Sequence, residues 1–206
     1  EKPKASPELQ SAIDRLTAGE DVSREEIDRI PEVAEVRALP KMNTADIQTP
    51  ERQKLRSEVL EQLYQRGSYS SETHDYTGEI AQERRADIVI GAPAAGKSSV
   101  LVDPLSEQHK SRVIDSDDAK KLLPEYDDGK GAGNVHRESS MIRDVLKQRA
   151  IARGENIVWP TVGDKLDKLL SSIQEFRDNG YSVYLHLNEL SAGKATGRAL
   201  GRYLST

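Results

Sequence analysis

Two short stretches of this sequence carry residue types that chemistry needs in a fixed order. The first is Gly91-Ala92-Pro93-Ala94-Ala95-Gly96-Lys97-Ser98-Ser99, where two glycines bracket four small residues and Lys and Ser follow, the pattern of a phosphate-binding loop. Small residues let successive backbone N–H groups curl around phosphate oxygens, and a helix opening at Lys97 adds the partial positive charge of its N-terminus. Lys97 is then placed to neutralise the β and γ oxygens of ATP, and the Ser98 hydroxyl suits a Mg²⁺ ion. The second stretch is Val113-Ile114-Asp115-Ser116-Asp117-Asp118, which sets carboxylates at the end of a short apolar run. Side chains alternate along a strand, so Asp115 and Asp117 are expected to point one way and Ser116 the other. A carboxylate beside a substrate hydroxyl and Mg²⁺ suits proton abstraction, and Asp115 joins Ser98 as the second metal-side oxygen. The competing reading is that Asp117 and Asp118 cap a helix over residues 119–123.

These groups need a scaffold that brings strand ends together. From residue 86 onward, apolar runs alternate with amphipathic segments, with strands expected at 88–90, 112–115, 156–158 and 182–187. Helices are expected to start near Lys97 and to fill 136–153 and 165–179. The predicted fold is therefore α/β, a three-layer P-loop NTPase or kinase-like domain with a mostly parallel sheet, whose strand carboxyl ends line the ligand crevice. Ahead of it lie short polar helices. Ser6-Pro7-Glu8 opens one that Gly19 ends, Ser23-Arg24-Glu25-Glu26 is a capping box for a second, and a third spans 32–39. Residues 40–50 read as a linker, and a helix after Thr49-Pro50-Glu51 carries Leu55, Val59, Leu60, Leu63 and Tyr64 on one stripe. The chain is thus expected to divide into a helical segment over 1–45 and a kinase domain over 46–206.

Composition narrows the partners. Thirty Lys and Arg against 35 Asp and Glu leave a net charge of −5, and one Trp and one Phe leave little to stack on bases, so nucleic acid is not an expected partner. The absence of Cys excludes disulfides, thiol catalysis and thiolate metal sites, and the four His are scattered. No run approaches the ~20 apolar residues of a membrane-spanning helix, and no signal peptide opens the chain, so no membrane partner and a cytoplasmic location are expected.

From residue 50 onward, the order of these pieces resembles the zeta-toxin family of kinases. The loop at 91–99 is followed by Ile114-Asp115-Ser116-Asp117, by Leu123-Pro124-Glu125-Tyr126, and by His136-Arg137-Glu138-Ser139-Ser140 opening a helix. Residues 154–161, the helix to Gly180-Tyr181 and the strand to Leu187 complete the series. The resemblance implies transfer of the ATP γ-phosphate to the 3′-hydroxyl of UDP-N-acetylglucosamine, with ATP and Mg²⁺, and a partner antitoxin that blocks the nucleotide site.

By position, the resemblance places the family's loop lysine on Lys97 and its catalytic base on Asp117. Its substrate-side acid, ten positions before a glycine, falls on Asp144, where the family usually has Glu, and its threonine after the third strand falls on Thr161. Trp159-Pro160 stands where the family has an acid and a glycine, which opens the acceptor to another nucleotide sugar or a dinucleotide. His136 and Glu138 are expected to touch the nucleoside or sugar, the alternative being a surface imidazole and a carboxylate favouring its helix N-terminus. The arginine that clamps the migrating phosphoryl group is expected after the last strand, at Arg202 or Arg198. A second family arginine falls beyond Thr206, and the chain begins at Glu1 rather than Met, so the sequence reads as a fragment. A nucleotide-binding interaction module without transfer is the corresponding alternative. Residues 1–45 are either a spacer or a tethered inhibitory segment.

Overall fold

A computed structural model describes residues 5–38, 46–92, 96–163 and 165–188. Local signals set the first helices. Helix α1 (Pro7–Ala18) starts where the Leu9 N–H donates to the Ser6 hydroxyl, and it stops at Gly19, whose φ of 87° is left-handed. Helix α2 (Arg24–Asp28) carries the reciprocal capping box of Ser23 and Glu26, and α3 (Pro31–Ala38) follows. Leu9, Ala12 and Ile30 make a small core of their own, flanked by Ile13, Val22 and Val33. Glu32 closes it, accepting from the Ser6 N–H at 2.8 Å and the Ser6 hydroxyl at 2.9 Å.

Helix α4 (Pro50–Gln65), capped by Thr49, sends Val59 and Leu63 into the main core. An antiparallel hairpin follows, β1 (Ser68–Ser70) paired with β2 (Asp75–Gly78). It has no counterpart among the expected strands, since Ser68-Tyr69-Ser70 and Asp75-Tyr76-Thr77-Gly78 hold too few apolar residues to show a period.

The central sheet contains β3 (Arg85–Ile90), β4 (Arg112–Val113), β5 (Ile157–Thr161) and β6 (Ser182–Leu187), all parallel, in the order β4-β5-β3-β6. The connecting helices are α5 (Asp103–Gln108), α6 (Ser116–Lys121), α7 (His136–Arg153) and α8 (Leu166–Asp178). Because side chains alternate across a sheet, Ile88, Ile114 and Ile157 enter one core with Leu146 and Phe176, while Val89 and Val158 enter another with Val102 and Leu105. Helices thus cover both faces, which makes the three-layer α/β fold expected from the alternating pattern.

Two prolines shape the ends of this sheet. Asn156 and Val158 turn their carbonyls toward β4, accepting from Arg112 and Ile114 at 2.8 and 2.9 Å, so Pro160, two residues on, faces the same side. There β4 has already ended, and the donor that proline lacks is not missed by the ladder. Pro104 acts on the helix after the phosphate loop. It cannot donate to the Val100 carbonyl, and the preceding turn, Ser98–Val102, widens to π geometry in which the Asp103 N–H reaches the Ser98 carbonyl. No helix among the described residues is long and apolar enough to cross a membrane.

Candidate active site

The phosphate loop leaves β3 at its carboxyl end. The Gly91 N–H donates to the Thr161 carbonyl at 3.1 Å, tying the loop to β5. A Cβ at Gly91 would lie 2.7 Å from the Asn188 carbonyl oxygen, so only glycine fits between β3 and the end of β6. Gly96 takes a φ of 79°, the left-handed turn that starts the helix. Lys97 folds back across the base of the loop, its Nζ donating to the carbonyls of Gly91 at 2.7 Å and Ala92 at 2.8 Å. Ser98 and Ser99 follow on the widened turn and line the cleft with Gly96 and Lys97. Pro93, Ala94 and Ala95 lie outside the described residues.

The acids sit on a different local structure from the one expected. Strand β4 ends at Val113, and Asp115 is the N-cap of α6, its Oδ1 accepting from the Asp117 N–H at 2.9 Å. Asp117 therefore belongs to the first turn of a helix, and the strand alternation does not apply: Asp115, Ser116 and Asp117 all line the cleft. The capping reading is corrected with it, since the cap is Asp115 rather than Asp117 or Asp118. Burial pushes the Asp115 carboxyl up to about 6, and the neighbouring charges of Asp117 and Asp118 push the same way. Asp117 is 65% exposed and accepts from Lys120 Nζ at 2.7 Å. Asp118 turns away to Arg66, at 3.0 Å, and Lys121, at 3.2 Å.

The facing wall comes from α7, the end of β5 and the start of α8. His136, Asp144 and Thr161 line it, with Ser140, Arg143, Lys147 and Trp159. Burial lowers the His136 pKa, as do the charges of Lys120 and Arg143, against a smaller opposing effect of Asp117. Asp144 is paired with its neighbour Arg143, which donates through Nε at 2.9 Å and Nη2 at 2.6 Å. Lys147 reaches Glu175 at 2.6 Å and lies 5.6 Å from the Trp159 ring centre. Glu138 does not reach the cleft. It is 1% exposed and is held by Arg56 at 3.0 Å and by Arg52, which also grips Glu125 at 2.7 Å. Glu138 thus anchors the first turn of α7 to α4, and a substrate-touching role is replaced by a supporting one. Arg198 and Arg202 lie outside the described residues.

The whole cleft encloses about 1530 Å³. That exceeds the roughly 300–1,000 Å³ of a single-ligand pocket, in a cleft that is half open to solvent. Among the described residues, six basic and five acidic side chains line it, so its lining is close to balanced in charge in a chain that is acidic overall. Sequence reading missed Lys120, Arg143 and Lys147. Lys120 was findable, because a cation three residues after an acid on a helix shares its face; the other two are recognisable only once α7 is docked.

The family model for zeta toxins matches residues 72–206. In fold, the chain is similar to a structure from the PezAT chromosomal toxin-antitoxin system of Streptococcus pneumoniae, with a TM-score of 0.57 at 16% identity, covering 73% of this chain and 61% of that one. It is likewise similar to the structure of AvrRxo1-ORF1:AvrRxo1-ORF2 with sulphate ions, with a TM-score of 0.53 at 18% identity, over 78% of this chain and 55% of the other. The chain therefore spans about three fifths or less of the solved chains it matches. A search of curated proteins finds no match. The family match covers well over half of the sequence and takes in the phosphate loop, the acid turn and the facing wall: the chain belongs to the zeta-toxin family.

Proposed function

We propose that this chain is an ATP-dependent phosphotransferase that moves the γ-phosphate of ATP to the 3′-hydroxyl of UDP-N-acetylglucosamine. The observation that carries the reading is the single cleft that joins Lys97 and Ser98 on one wall, Asp115 and Asp117 between, and His136, Asp144 and Thr161 opposite. Backbone N–H groups of the loop and Lys97 hold the phosphates, and Lys97 follows the charge that grows on them in transfer. Asp117 takes the proton from the acceptor hydroxyl as the oxygen attacks phosphorus. His136, kept neutral near pH 7 by burial, hydrogen-bonds the acceptor without adding charge.

A magnesium ion fits the donor set. Ser98 and Asp115 offer hard oxygens in one cleft, and Asp115 sits among like charges that favour a cation over a bare carboxylate. Mg²⁺ takes one or two protein oxygens beside the phosphates, so it needs no dense cluster, and among the described residues none is present. When bound, the ion neutralises the β and γ oxygens; the chain's own residues set where it sits.

Trp159 and Pro160 on the cleft wall favour a second reading, the same transfer to another nucleotide sugar or a dinucleotide. Phosphate transfer from Mg-ATP across a panel of such acceptors decides. Turnover of UDP-N-acetylglucosamine alone supports the first reading, and turnover of another acceptor with none for this sugar nucleotide sinks it. An interaction module without activity is the reading left if ATP binds and nothing is phosphorylated.

The toxin-antitoxin system named for the pneumococcal structure supports a protein antitoxin as partner for this chain. Residues 1–45 then act as a spacer rather than a tethered inhibitor, since among the described residues none of 5–38 lines the cleft. Deleting them should leave ATP affinity unchanged; a gain in affinity on deletion would favour inhibition in cis.

A further inference from the structure

We propose that Tyr76 and Arg66 form a strut that fixes the spacing between the phosphate-loop helix and the acid turn, and so positions Ser98 and Asp115 for transfer. The proposal rests on the phosphotransferase reading and extends it to residues outside the cleft lining.

The strut is a continuous chain of contacts. The Tyr76 hydroxyl donates to Asp103 Oδ1 at 2.7 Å, and the Asp103 N–H in turn donates to the Ser98 carbonyl across the widened turn. On the other side of the phenol ring lies the Arg66 guanidinium, 4.0 Å from the ring centre. Arg66 Nη1 donates to Asp118 Oδ2 at 3.0 Å, in the same helical turn that Asp115 caps. The base is rigid, because the Arg66 carbonyl accepts from Arg112 Nη1 at 2.8 Å and buried Arg112 is itself paired with Glu155 at 2.6 Å.

Two independent features give the link its purpose. β3 and β4 are not neighbours in the sheet: β5 lies between them, so the loop and the acids are joined only through two successive ladders and no hydrogen bond of the sheet links them directly. The π turn at Ser98–Val102 is also an irregular helix start, and irregular turns need an outside contact to hold one register. Tyr76 supplies that contact at Asp103. Burial and the Asp103 carboxylate push the phenol pKa up, so the hydroxyl stays a donor across the physiological range. Arg66 precedes the family-matched span, so the matched residues alone do not complete the strut.

The test compares Tyr76→Phe with wild type. The ring stays beneath Arg66 and only the hydroxyl is lost. Mg²⁺ is titrated into protein with a fluorescent ATP analogue, and phosphate transfer is followed over the same Mg²⁺ range. The expected result is an Mg²⁺ midpoint raised about tenfold and a similar loss of kcat at low Mg²⁺, with most of the rate recovered at saturating Mg²⁺ and KM for ATP little changed. A merely structural lesion would not be rescued by the ion. Tyr69→Phe, which removes a hydroxyl from the same hairpin, should match wild type. Arg66→Met should reproduce the effect, and the double variant should be no worse than the worse single one. Equal Mg²⁺ midpoints in Tyr76→Phe and wild type would overturn the strut while leaving the phosphotransferase reading intact, even if Arg66→Met fails to fold. A wild-type protein that neither binds nor turns over Mg-ATP would overturn both.

Discussion

The two walls of the cleft are built by different means. On the nucleotide wall the determinants are backbone: Gly91 squeezed against Asn188, Gly96 in a left-handed turn, and a lysine folded onto two carbonyls. On the acceptor wall they are long side chains held by ion pairs, such as Arg143 on Asp144 and Lys147 on Glu175, above a buried foundation where Arg52 and Arg56 clamp Glu138. A backbone cradle recognises what every nucleotide shares and tolerates little change. A side-chain wall can be re-cut without disturbing the sheet, and Trp159 and Pro160 lie on that wall.

The sharpest way to break this contrast is at the foundation. Glu138→Ala takes the buried carboxylate from Arg56 and from Arg52, which keeps Glu125, and should cost about 3 kcal/mol of stability, the low end for breaking a buried pair, read by urea unfolding. A loss well under that would mean the acceptor wall stands without its clamp. Next is Lys97→Ala, expected to lower phosphate transfer roughly 10²- to 10³-fold, as removal of one preorganised charge-stabilising donor does, with little change in unfolding midpoint.

A smaller effect separates the walls by pH. Asp115 has a folded pKa near 6, above the ordinary carboxylate value, so the folded state holds its proton more tightly than the unfolded chain. The stability this group contributes is complete below about pH 4 and is lost as pH rises through about 6. Asp115→Asn keeps a capping oxygen for α6 and removes the titration. It should therefore melt higher than wild type near pH 8 and match it near pH 4, with thermal scans at both values as the check. The smallest change is expected at Asp144→Asn. Its pairing with Arg143 is exposed, the carboxylate being 58% accessible, so stability should move by less than about 1 kcal/mol while KM for the acceptor rises.

Much of this architecture was legible because its signals are local. Ser6 and Gly19 bound α1, the Ser23 and Glu26 capping box opens α2, and α7 and β6 keep the ends that apolar periodicity assigned them. The phosphate loop was legible as a local spacing of glycines, lysine and serine, although the group that forbids a Cβ at Gly91 is Asn188, at the far end of β6. The acid turn was misread as to backbone: Val113-Ile114-Asp115 looks like a strand running on, whereas the strand ends at Val113 and the Asp115 side chain caps a helix. Glu138 was misplaced because its partners, Arg52 and Arg56, are more than eighty residues away, and no local pattern announces a long-range clamp. The hairpin carrying Tyr76 escaped for want of any apolar period.

The most direct test of the central claim places two substitutions side by side, Lys97→Ala and Asp117→Asn, with nucleotide binding and γ-phosphate transfer measured on the same samples. The account predicts that Asp117→Asn binds Mg-ATP like wild type yet transfers phosphate about 10²- to 10⁴-fold more slowly, whereas Lys97→Ala weakens binding and transfer together. Transfer at the wild-type rate in Asp117→Asn would contradict the assignment of the base, and undiminished transfer in both would contradict the reading of this cleft as the site of phosphoryl transfer.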